Sequence, residues 1–203
     1  MSPAFYKLCQ IFLYIFFRSF NRYTIVGQEN LPSSGGYILA SNHVSYLDPP
    51  VLGSRIRRPI AFLAKEHLFR APLLGLMIRK LGAVPVAADS DFRSLREIVR
   101  HLKRGELISI FPEGTRSHDG NLLDFKPGVI FLAQMAHVPI IPCFIDGTGR
   151  AWPRGSKIMR PAKITVRLGA PYKPGPTSED KETFYQNSTR DLMQKIESLG
   201  RTA

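Results

Sequence analysis

The chain has almost no cysteine. Of its 203 residues only Cys9 and Cys143 carry a thiol, far apart and in apolar contexts. Neither a disulfide framework nor a thiolate metal site has support. A reducing, cytoplasmic setting is the simpler reading. Acidic residues are scarce too: 16 stand against 28 lysines and arginines, leaving a net charge of +12. Such an excess favours polyanionic partners, whether nucleic acid, an anionic membrane face or phosphate-bearing substrates. A P-loop, a dinucleotide fingerprint and Cys/His zinc spacing are all missing. So is a G-x-S-x-G nucleophile elbow. No metal and no organic cofactor is therefore expected.

The N-terminus is the most apolar region. Within Ala4–Phe20, 13 of 17 residues are apolar or aromatic, but Lys7 and Arg18 interrupt the run. The uncharged stretch Leu8–Phe17 has ten residues, against the roughly 20 of a spanning helix. No small-residue cleavage site follows. The segment predicts an aromatic-rich helix lying in or against one leaflet, with Lys7, Arg18 and Arg22 toward headgroups. The alternative is a helix buried on the domain's own core. The expected division is a membrane-associating helix over 1–24 and one globular domain over 25–203.

The rest of the chain alternates short apolar runs with helical patterns. Strands are predicted at 36–41, 60–64, 84–87, 107–111, 138–145 and 163–168. Pro139 and Pro142 suggest that the 138–145 strand is an edge or bulged strand. Helices are predicted at 49–57, 72–81, 92–104, 128–136 and 177–199, the last with Gly200 as its stop. In the 92–104 helix Phe92, Leu95, Ile98, Val99 and Leu102 share one face, and Arg93, Arg96, Arg100, Lys103 and Arg104 the other. This alternation predicts a single-domain α/β fold, with a mixed, mostly parallel sheet flanked by helices.

Two polar motifs stand at predicted strand C-termini, where ligands bind in such sheets. The first is S-N-H-V-S-Y-L-D-P-P, with His43 and Asp48 five residues apart. On one helix those positions would diverge by about 140°, so a loop must bring them together. A carboxylate on one ring nitrogen fixes the imidazole tautomer and leaves the other nitrogen to take a proton. Alternatively, Asp48 before proline is a helix N-cap and His43 an ordinary loop histidine. Ser45 lies between them without motif support. If the dyad forms, the attacking hydroxyl belongs to the substrate.

The second motif is F-P-E-G-T-R-S. Gly114 permits a positive-φ turn whose N–H groups face an anion. Arg116 is suited to bidentate phosphate contact, and Lys126 adds a point charge. The alternative is a tight surface turn with a solvated arginine. His67, His101, His118 and His137 have no partner pattern, and Trp152 reads as a packing or interface residue.

Together these segments resemble the glycerolipid acyltransferases, specifically the 1-acyl-sn-glycerol-3-phosphate (lysophosphatidic acid) acyltransferases. N-H-V-S-Y-L-D-P is similar to the family's first block and F-P-E-G-T-R-S to its third. A-K-E-H-L-F with Gly75 and Gly82 resembles the second, and V-P-I-I-P-C at 138–143 the fourth. The resemblance implies that His43, oriented by Asp48, deprotonates the sn-2 hydroxyl of lysophosphatidic acid, which attacks an acyl thioester. Arg116 and Lys126 would bind the acceptor phosphate, with Thr115 beside them, and Glu113 would organise the Gly114 turn. Lys65 or backbone N–H groups would stabilise the oxyanion. The donor would be acyl-CoA or acyl carrier protein, and the product phosphatidic acid. The expected location is the cytoplasmic face of the cell membrane, peripheral or monotopic. One position departs from the family: G-A-V-P-V-A-A-D lacks the arginine that closes the second block, and the next cation is Arg93. Another lysolipid or an ornithine lipid is the alternative acceptor. A nucleic-acid partner is not expected, because the aromatics cluster at the N-terminus and do not interleave with the basic residues. A non-catalytic membrane scaffold would be indifferent to loss of His43.

Overall fold

A computed structural model describes residues 2–86, 92–175 and 180–201. Seven strands form one sheet: β1 (Thr24–Val26), β2 (Tyr37–Ser41), β3 (Ile60–Lys65), β4 (Val84–Val86), β5 (Leu107–Ile110), β6 (Ile140–Asp146) and β7 (Thr165–Leu168). Their order is β1-β7-β6-β2-β5-β3-β4. The five strands from β6 to β4 are parallel, and β7 runs antiparallel to β6. The single-domain, mostly parallel α/β prediction holds. Parallel strands are buried on both faces and so read as continuous apolar runs; Tyr37–Ser41 is buried at all five positions.

Two helical layers cover the sheet. On one side α1 (Pro3–Phe20) lies over α2 (Asp48–Arg55). Their core joins Phe17, Val51, Leu52 and Ile56 to Leu39, Ile141 and Ile145 of the strands. Each such side chain contributes roughly 1.5–3 kcal/mol by leaving water. Short α3 (Pro72–Lys80) follows β3 and a 3-10 turn. On the other side α4 (Phe92–Lys103), α5 (Gly128–Ala136) and α7 (Lys181–Arg201) pack through Ile98, Leu102, Ile130, Leu192 and Ile196. A one-turn α6 (Thr148–Ala151) follows β6.

The N-terminal helix packs on the domain through one face and leaves the other open. Its inner face is tied to the domain: the Tyr6 hydroxyl accepts from Ile60 N–H at 3.0 Å, and Gln10 Nε2 donates to the Gly53 and Ile56 carbonyls. Its outer face leaves Leu8, Ile11, Phe12 and Ile15 exposed. Among the described residues, no helix is long and apolar enough to cross a membrane.

Two readings of punctuation residues are corrected. The prolines do not mark an edge, since β6 lies between β7 and β2. The Pro142 carbonyl accepts from Gly169 N–H, so its nitrogen faces the flank where β7 has already ended, and no rung toward β2 is lost. Gly200 does not stop α7, which continues to Arg201. A Cβ at Gly200 would come within 2.8 Å of the Phe144 ring, so a larger residue there would need that ring to shift. The predicted start of that helix at 177–179 lies outside the described residues.

Candidate active site

Both motifs emerge at the same end of neighbouring strands, His43 beyond β2 and Glu113 beyond β5. The loop between β2 and α2 folds the carboxylate back onto the imidazole. Asp48 Oδ2 lies 2.7 Å from His43 Nδ1 and accepts from the Val44 and Ser45 N–H groups, both at 2.8 Å. Asp48 Oδ1 accepts from the Thr148 hydroxyl at 2.6 Å. With four donors the fully buried carboxylate is satisfied. It is not a helix N-cap. Pro50 offers no N–H, and the Val51 N–H is taken by the Leu47 carbonyl. Pro49 and Pro50 start α2 without needing donors and leave the carboxylate to the histidine.

The imidazole is fixed on three further sides. Its ring stacks on Phe111, with centroids 4.1 Å apart. Its backbone N–H donates to Glu113 Oε1 at 2.7 Å, and its carbonyl accepts from Ser117 N–H at 2.8 Å. Glu113 Oε2 accepts from Leu123 N–H. Glu113 is therefore a buried strut between the β2, β5 and 117–123 segments. Burial raises its pKa above the ordinary carboxyl range, against the lowering effect of those two backbone donors. Because Asp48 engages Nδ1, Nε2 is the nitrogen left to exchange protons, with the side chain 17% exposed. Among the described residues, no hydroxyl or thiol is hydrogen-bonded to Nε2: Ser45 donates to the Trp152 carbonyl. Cys143 is buried under the sheet, its thiol pushed up to about 12 by desolvation.

The anion-facing half is more open. Gly114 adopts φ +69° where its N–H closes a turn on the Phe111 carbonyl. The Lys126 ammonium lies over that turn, 3.2 Å from where a Cβ on Gly114 would stand. Gly114, Thr115 and Lys126 are exposed and Arg116 half-buried. The Arg116 guanidinium sits 3.5 Å above the Tyr46 ring, which meets Trp152 edge-on. Stacking covers the face of the guanidinium and leaves its in-plane N–H edges available for a bidentate anion. A cleft of about 430 Å³ opens nearby, lined by Val44, Ser117, Asn121, Asp146, Gly149 and Arg154 among others. Lys65 ends β3, two strands from β2, and is exposed. A second cleft of equal volume lies near it, between Phe69, Arg79 and Pro85.

Sequence reasoning did not find Tyr46 or Thr148. Both act through contacts between distant segments, and neither has a signal in its local pattern. The Asn42 side-chain amide pairs with both the N–H and the carbonyl of Ile145. Among the described residues, no cluster of acidic, histidine and cysteine side chains is suited to hold a metal ion.

This geometry stands inside a matching sequence pattern. The Acyltransferase family pattern matches residues 22–146, and the chain belongs to that family. A chloroplastic 1-acyl-sn-glycerol-3-phosphate acyltransferase of Arabidopsis thaliana is 35% identical over 157 residues, 75% of this chain and 44% of the plant protein. The 1-acyl-sn-glycerol-3-phosphate acyltransferase of Bacillus subtilis is 29% identical, covering 82% of this chain and 81% of its own. The crystal structure of the 1-acyl-sn-glycerophosphate acyltransferase PlsC from Thermotoga maritima superimposes with a TM-score of 0.81 at 30% identity. That match covers 97% of this chain and 79% of the other. The chain spans just under half the length of the chloroplast relatives it matches. Thr148 lies just beyond the matched family segment.

Proposed function

We propose that the protein transfers a fatty acyl group from an acyl thioester to the sn-2 hydroxyl of lysophosphatidic acid, forming phosphatidic acid. The observation that carries this reading is the Asp48–His43 contact of 2.7 Å, with no nucleophile among the described residues joined to the imidazole. The acceptor hydroxyl gives its proton to His43 Nε2 as its oxygen bonds to the thioester carbonyl carbon. The carbon–sulfur bond then breaks, and the departing thiolate takes the proton from the imidazolium. Asp48 stabilises that cation while it exists. Arg116 and Lys126 suit the acceptor phosphate. Lys65 and backbone N–H groups are the candidates for the oxyanion. The names of the relatives support a lysophosphatidic acid acceptor.

A lipid acceptor requires access to a bilayer. Support comes from α1 and α3, which meet where Ser2 N–H donates to the Lys80 carbonyl. Phe12 of α1 is 67% exposed and Leu73 of α3 is 83% exposed, with Leu8, Ile15, Leu76 and Met77 also open. An exposed apolar surface of this kind suits interfacial insertion. The reading places the protein on the cytoplasmic face of the membrane as a peripheral or monotopic protein.

The test is transfer of a labelled acyl group to lysophosphatidic acid in detergent micelles, from acyl-CoA and from acyl carrier protein, with other lysolipids as parallel acceptors. Wild type is expected to yield phosphatidic acid, and His43→Ala to lose at least ~10²-fold. Full activity in His43→Ala would end the general-base reading. Product from another lysolipid alone would transfer the acceptor assignment to it.

A further inference from the structure

The loop that carries His43 and Asp48 rests on a segment that belongs to neither polar motif. Residues 147–152 follow β6 and form the single turn of α6. Two side-chain bonds tie this turn to the 43–48 loop. The Ser45 hydroxyl donates to the Trp152 carbonyl at 3.0 Å, and the Thr148 hydroxyl donates to Asp48 Oδ1 at 2.6 Å. Thr148 is fully buried.

The turn is itself held in place. Just upstream, Asn42 bonds both backbone groups of Ile145. Gly147 takes φ +91°, and a Cβ there would collide with the Lys163 carbonyl, so a side chain is excluded by both strain and space. The Ala151 and Trp152 N–H groups close the turn on the Gly147 and Thr148 carbonyls, both at 2.8 Å. The Thr148 hydroxyl therefore meets the carboxylate from a fixed position.

The two oxygens of Asp48 are served unequally. Oδ2 accepts from His43 Nδ1 and from the Val44 and Ser45 N–H groups, and Oδ1 accepts from Thr148. Rotation of a carboxylate about its last bond is broad, so contacts at one oxygen leave its plane loosely set. A donor on the second oxygen sets that plane, and with it the direction in which the Oδ2 lone pairs meet Nδ1. Asp48 is fully buried, so solvent does not stand in for a lost donor.

We propose that Thr148 is a positioning residue of the dyad. Its hydroxyl orients the Asp48 carboxylate so that His43 keeps its proton on Nδ1 and leaves Nε2 open to the acceptor hydroxyl. The inference rests on the acyl-transfer reading above and adds to it a residue that acts through Asp48.

The experiment compares wild type with Thr148→Val, which keeps the shape and removes the hydroxyl, and with Thr148→Ser, which keeps the hydroxyl. Each is assayed for acyl transfer to lysophosphatidic acid. The histidines are read by nitrogen-15 NMR in detergent at a pH where the rings are neutral, with the His43 signals identified by their loss in His43→Ala. Wild type is expected to show His43 protonated at Nδ1. Thr148→Val should lower kcat about 10- to 100-fold, move the acceptor KM less than about two-fold, and shift His43 toward the Nε2–H tautomer. Thr148→Ser should recover the wild-type tautomer and a kcat within about three-fold of wild type. If the valine variant does not fold, Thr148→Ala serves the same comparison. Wild-type kcat or an unchanged His43 tautomer without the hydroxyl would overturn the inference. Equal losses in the valine and serine variants would overturn it too, by assigning the effect to packing of the turn. If wild type transfers no acyl group, the acyl-transfer reading fails, while the NMR spectra still decide whether Thr148 sets the His43 tautomer.

Discussion

The two halves of the site are built in opposite ways. Around Asp48 the carboxylate is buried and satisfied: four donors meet it, and the histidine is held through its ring, its N–H and its carbonyl. Around Arg116 the groups are open, and the guanidinium is kept in place by one exposed tyrosine. A proton-transfer group needs fixed geometry within hydrogen-bond reach, and buried bonds supply it. A group that receives a lipid headgroup from a bilayer must let it in, and a stacked cation with free edges permits that. On the proposed reading, the first half sets the rate and the second the affinity.

Four substitutions sharpen or break this contrast. Asp48→Asn should have the largest effect. The amide would keep its oxygen for the Val44, Ser45 and imidazole donors and turn its nitrogen to the Thr148 hydroxyl, but it lacks the charge that stabilises the imidazolium. The expected loss of kcat is on the order of 10²–10⁴-fold, read in steady-state acyl transfer. A loss confined to KM would contradict the division. Glu113→Gln should come next, leaving one of the His43 and Leu123 N–H groups facing an amide NH2. A stability loss of about 1–3 kcal/mol is expected by denaturant unfolding. The substitution also tests a pH dependence. Burial raises the folded pKa of Glu113, so its stabilising contribution is complete below the unfolded value of about 4.3 and is lost as pH rises through the folded value. The variant should lack that downward slope; retention of the slope would assign it to another group.

The open half should respond in KM. Arg116→Lys replaces a bidentate fork by a point charge, and a KM for the phosphate acceptor about 10-fold higher is expected with kcat nearly unchanged. The smallest effect should be that of Tyr46→Leu. Loss of one exposed cation–π contact, about 0.5–1 kcal/mol, predicts a two- to five-fold rise in acceptor KM. Tyr46→Phe should restore wild-type behaviour. A fall in kcat in Tyr46→Leu would mean that Tyr46 reaches the chemistry and not only the cation.

Much of this was legible in the sequence because it is local. The 128–136 helix has the predicted bounds, and the 36–41 strand differs by one residue. Apolar periodicity and strand-end position brought His43, Asp48, Glu113 and Arg116 to one edge of the sheet. What was illegible depends on partners far along the chain. Thr148 is 100 residues from Asp48 and Tyr46 is 70 from Arg116. Pro142 and Gly200 carry the local signature of interruption, and only their neighbours Gly169 and Phe144 explain why the elements continue through them. Burial of one side of α1 was undecidable from composition, since its inner and outer faces are almost equally apolar.

The Asn42 amide has a consequence for where hydrocarbon can go. In open α/β sheets the crevice used by ligands forms where the direction of chain travel reverses. Here β2 sits at that reversal, with β3 reached on one side and β6 on the other. Asn42 rivets the chain beyond β2 to Ile145, so the two strands cannot part there. The neighbouring cleft therefore has a floor and is a dish on the end of the sheet. On the proposed reading, an acyl chain whose carbonyl reaches His43 does not pass between β2 and β6 at this point.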